Sequence, residues 1–173
     1  MHKTLRAIVA GVPNVGKSAI LNSLLGTKKM AASNRPGVTR SLQWARISDH
    51  LEILDSPGML WPKLDDERTG ATLALIGSVP ADILNQEELA YYLVDLLRRA
   101  EPDILERRYH VKCSELDPYE ILEAIGRRRG FLRHRGELDL ERAASTILGE
   151  FKNGKLGRLS LEAPHETRST AHA

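Results

Sequence analysis

Apolar positions fall into two kinds of pattern along the chain, a strand-like one in the first third and a helical one afterwards. Leu5 to Ala10 is a short apolar, β-branched run interrupted only by Arg6 and ending at Gly11, which predicts a buried strand. From Lys17 to Leu25, apolar residues at Ile20, Leu21, Leu24 and Leu25 predict a helical face closed by Gly26. Lys28 to Thr39 is polar and contains Asn34-Arg35-Pro36-Gly37, so it reads as a loop. Leu42 to Ile47 and Leu51 to Leu54 predict two strands turning at Ser48-Asp49-His50. Pro57-Gly58 and Pro62 make the next segment irregular.

Beyond Lys63 the pattern becomes helical and stays so. Asn85 with Glu88 resembles a capping pair opening a helix that carries Leu89, Leu93, Leu96 and Leu97 on one side. Asp117-Pro118 with Glu120 starts another, with Ile121, Leu122 and Ile125 inward and Gly126 near its end. Asp139 caps a third, its inward face formed by Leu140, Ala143, Ala144, Ile147, Leu148 and Phe151. After Pro164 the residues are small and polar, the composition of a frayed tail. The expected organisation is an α/β part over residues 1–80, an all-α domain over 81–163 and a disordered tail over 164–173.

Composition narrows the class. The 173 residues are 42% hydrophobic and 28% charged, as in a globular protein, and no stretch approaches the roughly 20 apolar residues of a membrane span. Cys113 is the single cysteine, which excludes disulfides and suits a reducing compartment. A cytoplasmic protein with no membrane partner is expected. The net charge of +2 conceals an asymmetry: residues 1–60 hold 8 lysines and arginines against 3 carboxylates, 61–126 hold 7 against 14, and 127–173 hold 10 against 6. Basic ends around an acidic middle suggest anionic partners for the ends, or simply an ordinary solvated surface. The histidines never pair at ligand spacing, and Cys113 reads as a buried small hydrophobe rather than a nucleophile.

The chemistry concentrates in Gly11-Val12-Pro13-Asn14-Val15-Gly16-Lys17-Ser18, a full G-x-x-x-x-G-K-[ST] phosphate loop between a strand and a helix. Backbone N–H groups in such a loop converge on phosphate oxygens, and the following helix adds its positive end. Lys17 would reach the β- and γ-oxygens, and the Ser18 hydroxyl would bind Mg²⁺. Thr39, 21 residues after Ser18, lies in a basic loop from which a threonine can join the Mg²⁺ and sense a γ-phosphate. Asp55-Ser56-Pro57-Gly58 ends a strand; its carboxylate can hold Mg²⁺ through water, and the Gly58 N–H can meet the γ-phosphate. Taken alone, Thr39 is a loop residue and Asp55–Gly58 a turn. In order behind a phosphate loop they favour a GTPase over an ATPase.

The same stretches carry a family resemblance. Gly11 to Ser18, Asn34-Arg-Pro-Gly-Val-Thr-Arg-Ser-Leu-Gln-Trp44 and Leu54-Asp-Ser-Pro-Gly-Met-Leu-Trp-Pro-Lys63 resemble the ribosome biogenesis GTPase A family (YlqF type). The likeness continues through Asp117-Pro118, Ile125-Gly126-Arg127, Gly130 and Lys155 to Ser160. These are circularly permuted GTPases that assist late assembly of the large (50S) ribosomal subunit. The resemblance implies GTP and Mg²⁺ as cofactors. It implies nucleotide contacts from Asn14, Val15, Gly16, Lys17, Ser18, Ala19 and Gly58, metal contacts from Ser18, Thr39 and Asp55, and catalytic roles for Lys17, Thr39 and Gly58. Met59 stands where Ras-like enzymes carry a water-orienting glutamine; a thioether cannot orient water, so slow intrinsic hydrolysis is expected. Asn14 matches the asparagine that holds K⁺ in potassium-activated relatives; the other reading is a loop residue bonding its own backbone.

No Asn-Lys-x-Asp tetrapeptide, the usual guanine reader, occurs in the sequence. The chain therefore reads as the back half of the family's protein, supplying three strands of a Ras-like sheet ordered 2-3-1-4-5-6. Its first strand should then show an open edge, and marginal stability and weak nucleotide affinity are expected. Arg127-Arg128-Arg129-Gly130-Phe131-Leu132-Arg133-His134-Arg135 packs five arginines into nine residues, with Phe131 as a possible stacking face. By the resemblance this helical domain contacts 23S-type rRNA through Arg127, Arg128, Arg129, Arg133 and Arg135. The other reading is cations gathered at a helix end. Expected partners are the large subunit and its rRNA, with no DNA, and the chain is expected to be a monomer. Two alternatives stay open: a truncated, hydrolysis-deficient RNA- or ribosome-binding module, and a P-loop ATPase with an all-α partner domain.

Overall fold

Strands form where β-branched apolar runs occur, and helices where acidic or amide side chains cap leucine-rich segments. In the computed structural model the described residues are 4–27, 41–60, 66–79 and 85–161. The chain divides into two compact units, residues 1–83 and 84–173.

The first unit holds β1 (Leu5–Val9), α1 (Lys17–Leu25), β2 (Gln43–Ser48), β3 (Leu51–Asp55) and α2 (Glu67–Leu75). Its sheet runs β1-β3-β2, with β1 parallel to β3 and β2 antiparallel to it. That is the three-strand portion of the expected order. Leu5 faces Leu51, Ala7 faces Ile53 and Val9 faces Asp55, so the β1–β3 register carries the chain from Val9 into the phosphate loop beside the end of β3. α1 packs on β2 and β3, where Leu21, Ala45 and Ile53 form a small core joined by Val9, Leu25, Ile47 and Leu51.

Two expectations are corrected here. Only Leu21 and, partly, Leu25 of the α1 apolar set pack inward, whereas Ile20 and Leu24 are exposed. A nine-residue helix over a three-stranded sheet covers a narrower stripe than its pattern offers. β1 is not the buried strand its apolar run suggests but the open-edged one expected where further strands are missing: Leu5 is 69% and Ile8 60% exposed, because among the described residues only β3 pairs with it. On the face away from α1, Ile8, Leu54 and Trp44 share one cross-strand row. Trp44 lies there half exposed, with the Arg6 guanidinium 5.3 Å over its ring.

α2 was not legible as a separate helix. Asp66 caps it by accepting from the N–H groups of Arg68 and Thr69, and the hydroxyl of Thr69 adds a third bond at 2.9 Å. Those donors hold the exposed Asp66 carboxyl below its ordinary pKa.

The second unit contains α3 (Gln86–Ala100), α4 (Pro102–Tyr109), α5 (Pro118–Arg128) and α6 (Leu140–Lys152). Asn85, Asp117 and Asp139 cap α3, α5 and α6, and Asp117 with Glu120 completes a reciprocal capping box. α3 packs on α4, α5 and α6, and α5 packs on α6. Leu93, Leu97, Ile121, Leu122, Ile125 and Ile147 are fully buried between them. Leu140 and Phe151 lie only half inside. α4 went unforeseen, although Pro102 at its first turn is a start signal. Cys113 is buried as expected, and burial raises its thiol pKa.

Candidate functional site

The loop from Gly11 to Ser18 leaves β1 and enters α1 through a backbone that only certain residues adopt. Gly16 sits at φ 92° immediately before the helix, and Asn14 takes φ 61°, a left-handed conformation tolerated by asparagine better than by most non-glycine residues. The carbonyl oxygens along the loop are turned into the protein. Val9 O accepts from the Ser56 hydroxyl at 2.7 Å, and Gly11 O from the Met59 N–H at 3.2 Å. Pro13 O accepts from the Ser78 hydroxyl at 2.6 Å, and Gly16 O from the Ile20 N–H at 2.9 Å. In a trans peptide the following N–H points the opposite way. The inward carbonyls therefore aim the N–H groups of Val12, Asn14 and Lys17 away from the carbonyls' partners, as an anion nest requires.

Lys17 is buried at the first position of α1. Its Nζ donates to Val12 O at 2.8 Å and Gly11 O at 3.2 Å, so the ammonium rests on the loop itself rather than swinging into solvent. Ser18, one residue on, donates its hydroxyl to Asp55 Oδ2 at 2.7 Å. Asp55 is 1% exposed, and its other oxygen, Oδ1, is buried with no hydrogen-bond partner among the described residues. A lone carboxylate oxygen held dry is costly unless a cation or donor completes it. Two hard oxygen donors, Ser18 Oγ and Asp55 Oδ1, so placed at a phosphate loop, fit Mg²⁺.

Gly58 lies against the loop from the β3 side. A Cβ there would be driven into the backbone of Pro13 and its ring, with Cγ at 2.8 Å, so only glycine permits the approach. Met59 is exposed beside it. Thus Asn14, Gly16, Lys17, Ser18, Asp55 and Gly58 come together in one place. Val15 and Ala19 are exposed at the same loop and helix start. Thr39 and Trp61 lie outside the described residues.

The basic segment of the second unit is less free than its sequence suggests. Arg129 pairs with Glu150 at 3.2 Å and stacks over the Tyr109 ring. Arg127 pairs with Glu123 at 2.9 Å, and Arg133 with Asp139 and Glu141. The Arg142 guanidinium sits 4.6 Å over Phe131, occupying one face of the ring expected to stack on bases. Among the described residues, Arg128 and Arg135 make no ion pair. Glu150, which sequence reasoning missed, is the buried hub. It accepts two bonds from Arg108, one from the Tyr109 hydroxyl and one from Arg129. Those donors, Arg108 first, hold its carboxyl down at about 2. Burial and the same carboxylate push the Tyr109 hydroxyl well above its ordinary value. No local signal announces Glu150, because its partners lie 21 to 42 residues away.

With that geometry in hand, similarity to known proteins is informative. A family model described as the 50S ribosome-binding GTPase matches residues 6–122. Ribosome biogenesis GTPase A of Bacillus cereus is 37% identical over 164 residues, covering 95% of this chain and 55% of that protein. The chain thus spans a little over half the length of such curated relatives. A GDP-bound structure of YlqF superposes with a TM-score of 0.63 at 31% identity, over 94% of this chain and 62% of that one. The GNP-bound YlqF of T. maritima gives a TM-score of 0.57 at 32% identity, over 92% and 59%.

Proposed function

The chain belongs to the 50S ribosome-binding GTPase family, with an α/β P-loop GTPase fold in its first unit, and from that premise we propose that it binds GTP with Mg²⁺ as a ribosome assembly factor. The carrying observation is the buried Asp55 oxygen without a partner among the described residues, beside the Ser18 hydroxyl and next to a loop whose Gly11, Val12 and Pro13 carbonyls are already engaged. Lys17 shifts from the loop carbonyls to phosphate oxygens, and Ser18 and Asp55 hold the metal, with Thr39 joining them. Bound Mg²⁺ supplies charge neutralisation at the phosphates. In this reading the Gly58 N–H senses the γ-phosphate, and Asn14 helps to hold a K⁺ ion. Met59 offers no group that orients water, which supports slow hydrolysis in the absence of an outside contributor.

The helical unit is the ribosome-facing part in this reading, contacting large-subunit rRNA as a cytoplasmic monomer. Arg128 and Arg135, unpaired among the described residues, lead that contact. Arg127 and Arg133 join by exchanging exposed ion pairs for phosphates, a low-cost swap because such pairs are worth little. Arg129 stays with Glu150. No Asn-Lys-x-Asp tetrapeptide stands in these 173 residues, so the chain's own grip is on phosphates and metal, with little discrimination among bases.

Titration of the 173-residue chain with a fluorescent GTP analogue tests the site. Binding should need Mg²⁺, fall at least 10-fold in Lys17→Ala, and fall in Asp55→Ala. Metal-independent binding unaffected by Lys17→Ala would overturn it. Paired Arg128→Glu and Arg135→Glu changes should flatten the salt dependence of binding to large-subunit RNA.

A further inference from the structure

The end of α2 meets the phosphate loop more closely than any motif requires. Ser78 is 1% exposed, and its hydroxyl donates to Pro13 O at 2.6 Å. Its own N–H bonds Leu73 O at 2.8 Å, so the hydroxyl's base is fixed to the helix. The preceding Gly77 takes φ 73° and passes so near Asn14 that a Cβ would stand 2.7 Å from Nδ2. Gly58 also lies against Pro13. Pro13 and Asn14 are therefore closely approached by both Gly58 and the Gly77–Ser78 pair.

We propose that Ser78 is a positioning residue of the phosphate loop: by binding Pro13 O it turns the Asn14 N–H toward the phosphates and sustains the left-handed Asn14 backbone. A non-glycine residue in that region persists only where its surroundings over-determine it. The Ser78 bond and the Gly77 contact are those surroundings. Gly77 serves the same end by having no side chain to displace the Asn14 amide. A consequence is that the turn following α2 is tied to the loop, so a bound phosphate is felt at residues 77–79.

This inference rests on the nucleotide reading for its purpose, but its geometry is testable without nucleotide. In the ligand-free 173-residue chain, hydrogen exchange over residues 11–18 should quicken at least 3-fold in Ser78→Ala and stay near the parent rate in Ser78→Thr, which keeps the hydroxyl. Ala71→Gly, which loosens α2 without touching the loop, should lower the melting midpoint and leave exchange at 11–18 unchanged. With Mg²⁺ and GDP added, Ser78→Ala should bind 3- to 10-fold more weakly, the size of one hydrogen bond. Equal exchange in Ser78→Ala and the parent would overturn the proposal, as would an equal quickening in Ala71→Gly. If the parent chain binds no nucleotide while the exchange pattern holds, the nucleotide reading fails and the positioning role stands.

Discussion

The two units solve the burial problem differently. In the helical unit Leu93, Leu97, Ile121, Ile125 and Ile147 are wholly withdrawn from water, and four helices share one interior. In the first unit the sheet-to-helix core is only Leu21, Ala45 and Ile53, Leu73, Ala74 and Leu75 of α2 are buried as well, and Leu5, Ile8 and Trp44 stand in solvent. Around the small sheet-to-helix core the first unit adds directed polar bonds: Ser56 to Val9, Ser78 to Pro13, Lys17 to Gly11 and Val12, Ser18 to Asp55. Hydrophobic burial is non-directional and sums over area, whereas hydrogen bonds fix orientation at modest net gain. The difference teaches that one unit is built for stability and the other for a particular loop shape.

The largest expected effect should fall on the helical interior alone. Leu93→Ala should cost about 2–5 kcal/mol, measured by denaturant unfolding of helix, because it leaves a cavity among packed neighbours. Exchange protection over residues 11–18 should not change; a loss there would erase the contrast between the units.

An intermediate effect concerns acid. Glu150 titrates at about 2 when folded and near 4.5 when free, so its contribution is complete above pH 4.5 and disappears as the pH falls toward 2. The shift corresponds to about 3 kcal/mol, reduced toward about 2 by the solvent reaching Arg108 and Arg129. Unfolding free energies at pH 6 and pH 3 should differ by about 1.5–2 kcal/mol, because at pH 3 the unfolded carboxyl is protonated while the folded one is still mostly ionised, and Glu150→Gln should remove most of that difference. A helical unit equally stable at both values would mean that its interior needs no ionic hub.

The smallest effect is expected at the exposed strand. Ile8→Thr keeps a β-branched side chain and changes an already solvated position, so stability should move by no more than about 0.5 kcal/mol in thermal unfolding. A cost above 2 kcal/mol would show β1 to be covered in solution and would narrow the gap between the two units.

Local signals made most elements legible. Asn85, Asp117 and Asp139 sit beside leucine-rich periods, and the strand runs end at Gly11 and Asp55, so their elements follow from neighbours in sequence. α2 escaped because Gly70 and two threonines dilute its pattern, and α4 because eight residues give barely two turns of periodicity. At the site, Lys17, Ser18 and Asp55 were readable since phosphate chemistry dictates their types and spacing. Ser78 was not, because its partner Pro13 is 65 residues away and a serine hydroxyl advertises nothing until folding brings it near a carbonyl. Five arginines likewise looked like one cationic surface, whereas Glu123, Glu150 and the carboxylates of Asp139 and Glu141 had already claimed three of them.

Lys17 resting on Gly11 O and Val12 O has a consequence for the shape of the loop. A buried ammonium needs acceptors, and two carbonyls of its own loop supply them, so the side chain braces the segment from 11 to 17 across its width. Shortening or neutralising that side chain would therefore loosen the backbone as well as remove a charge.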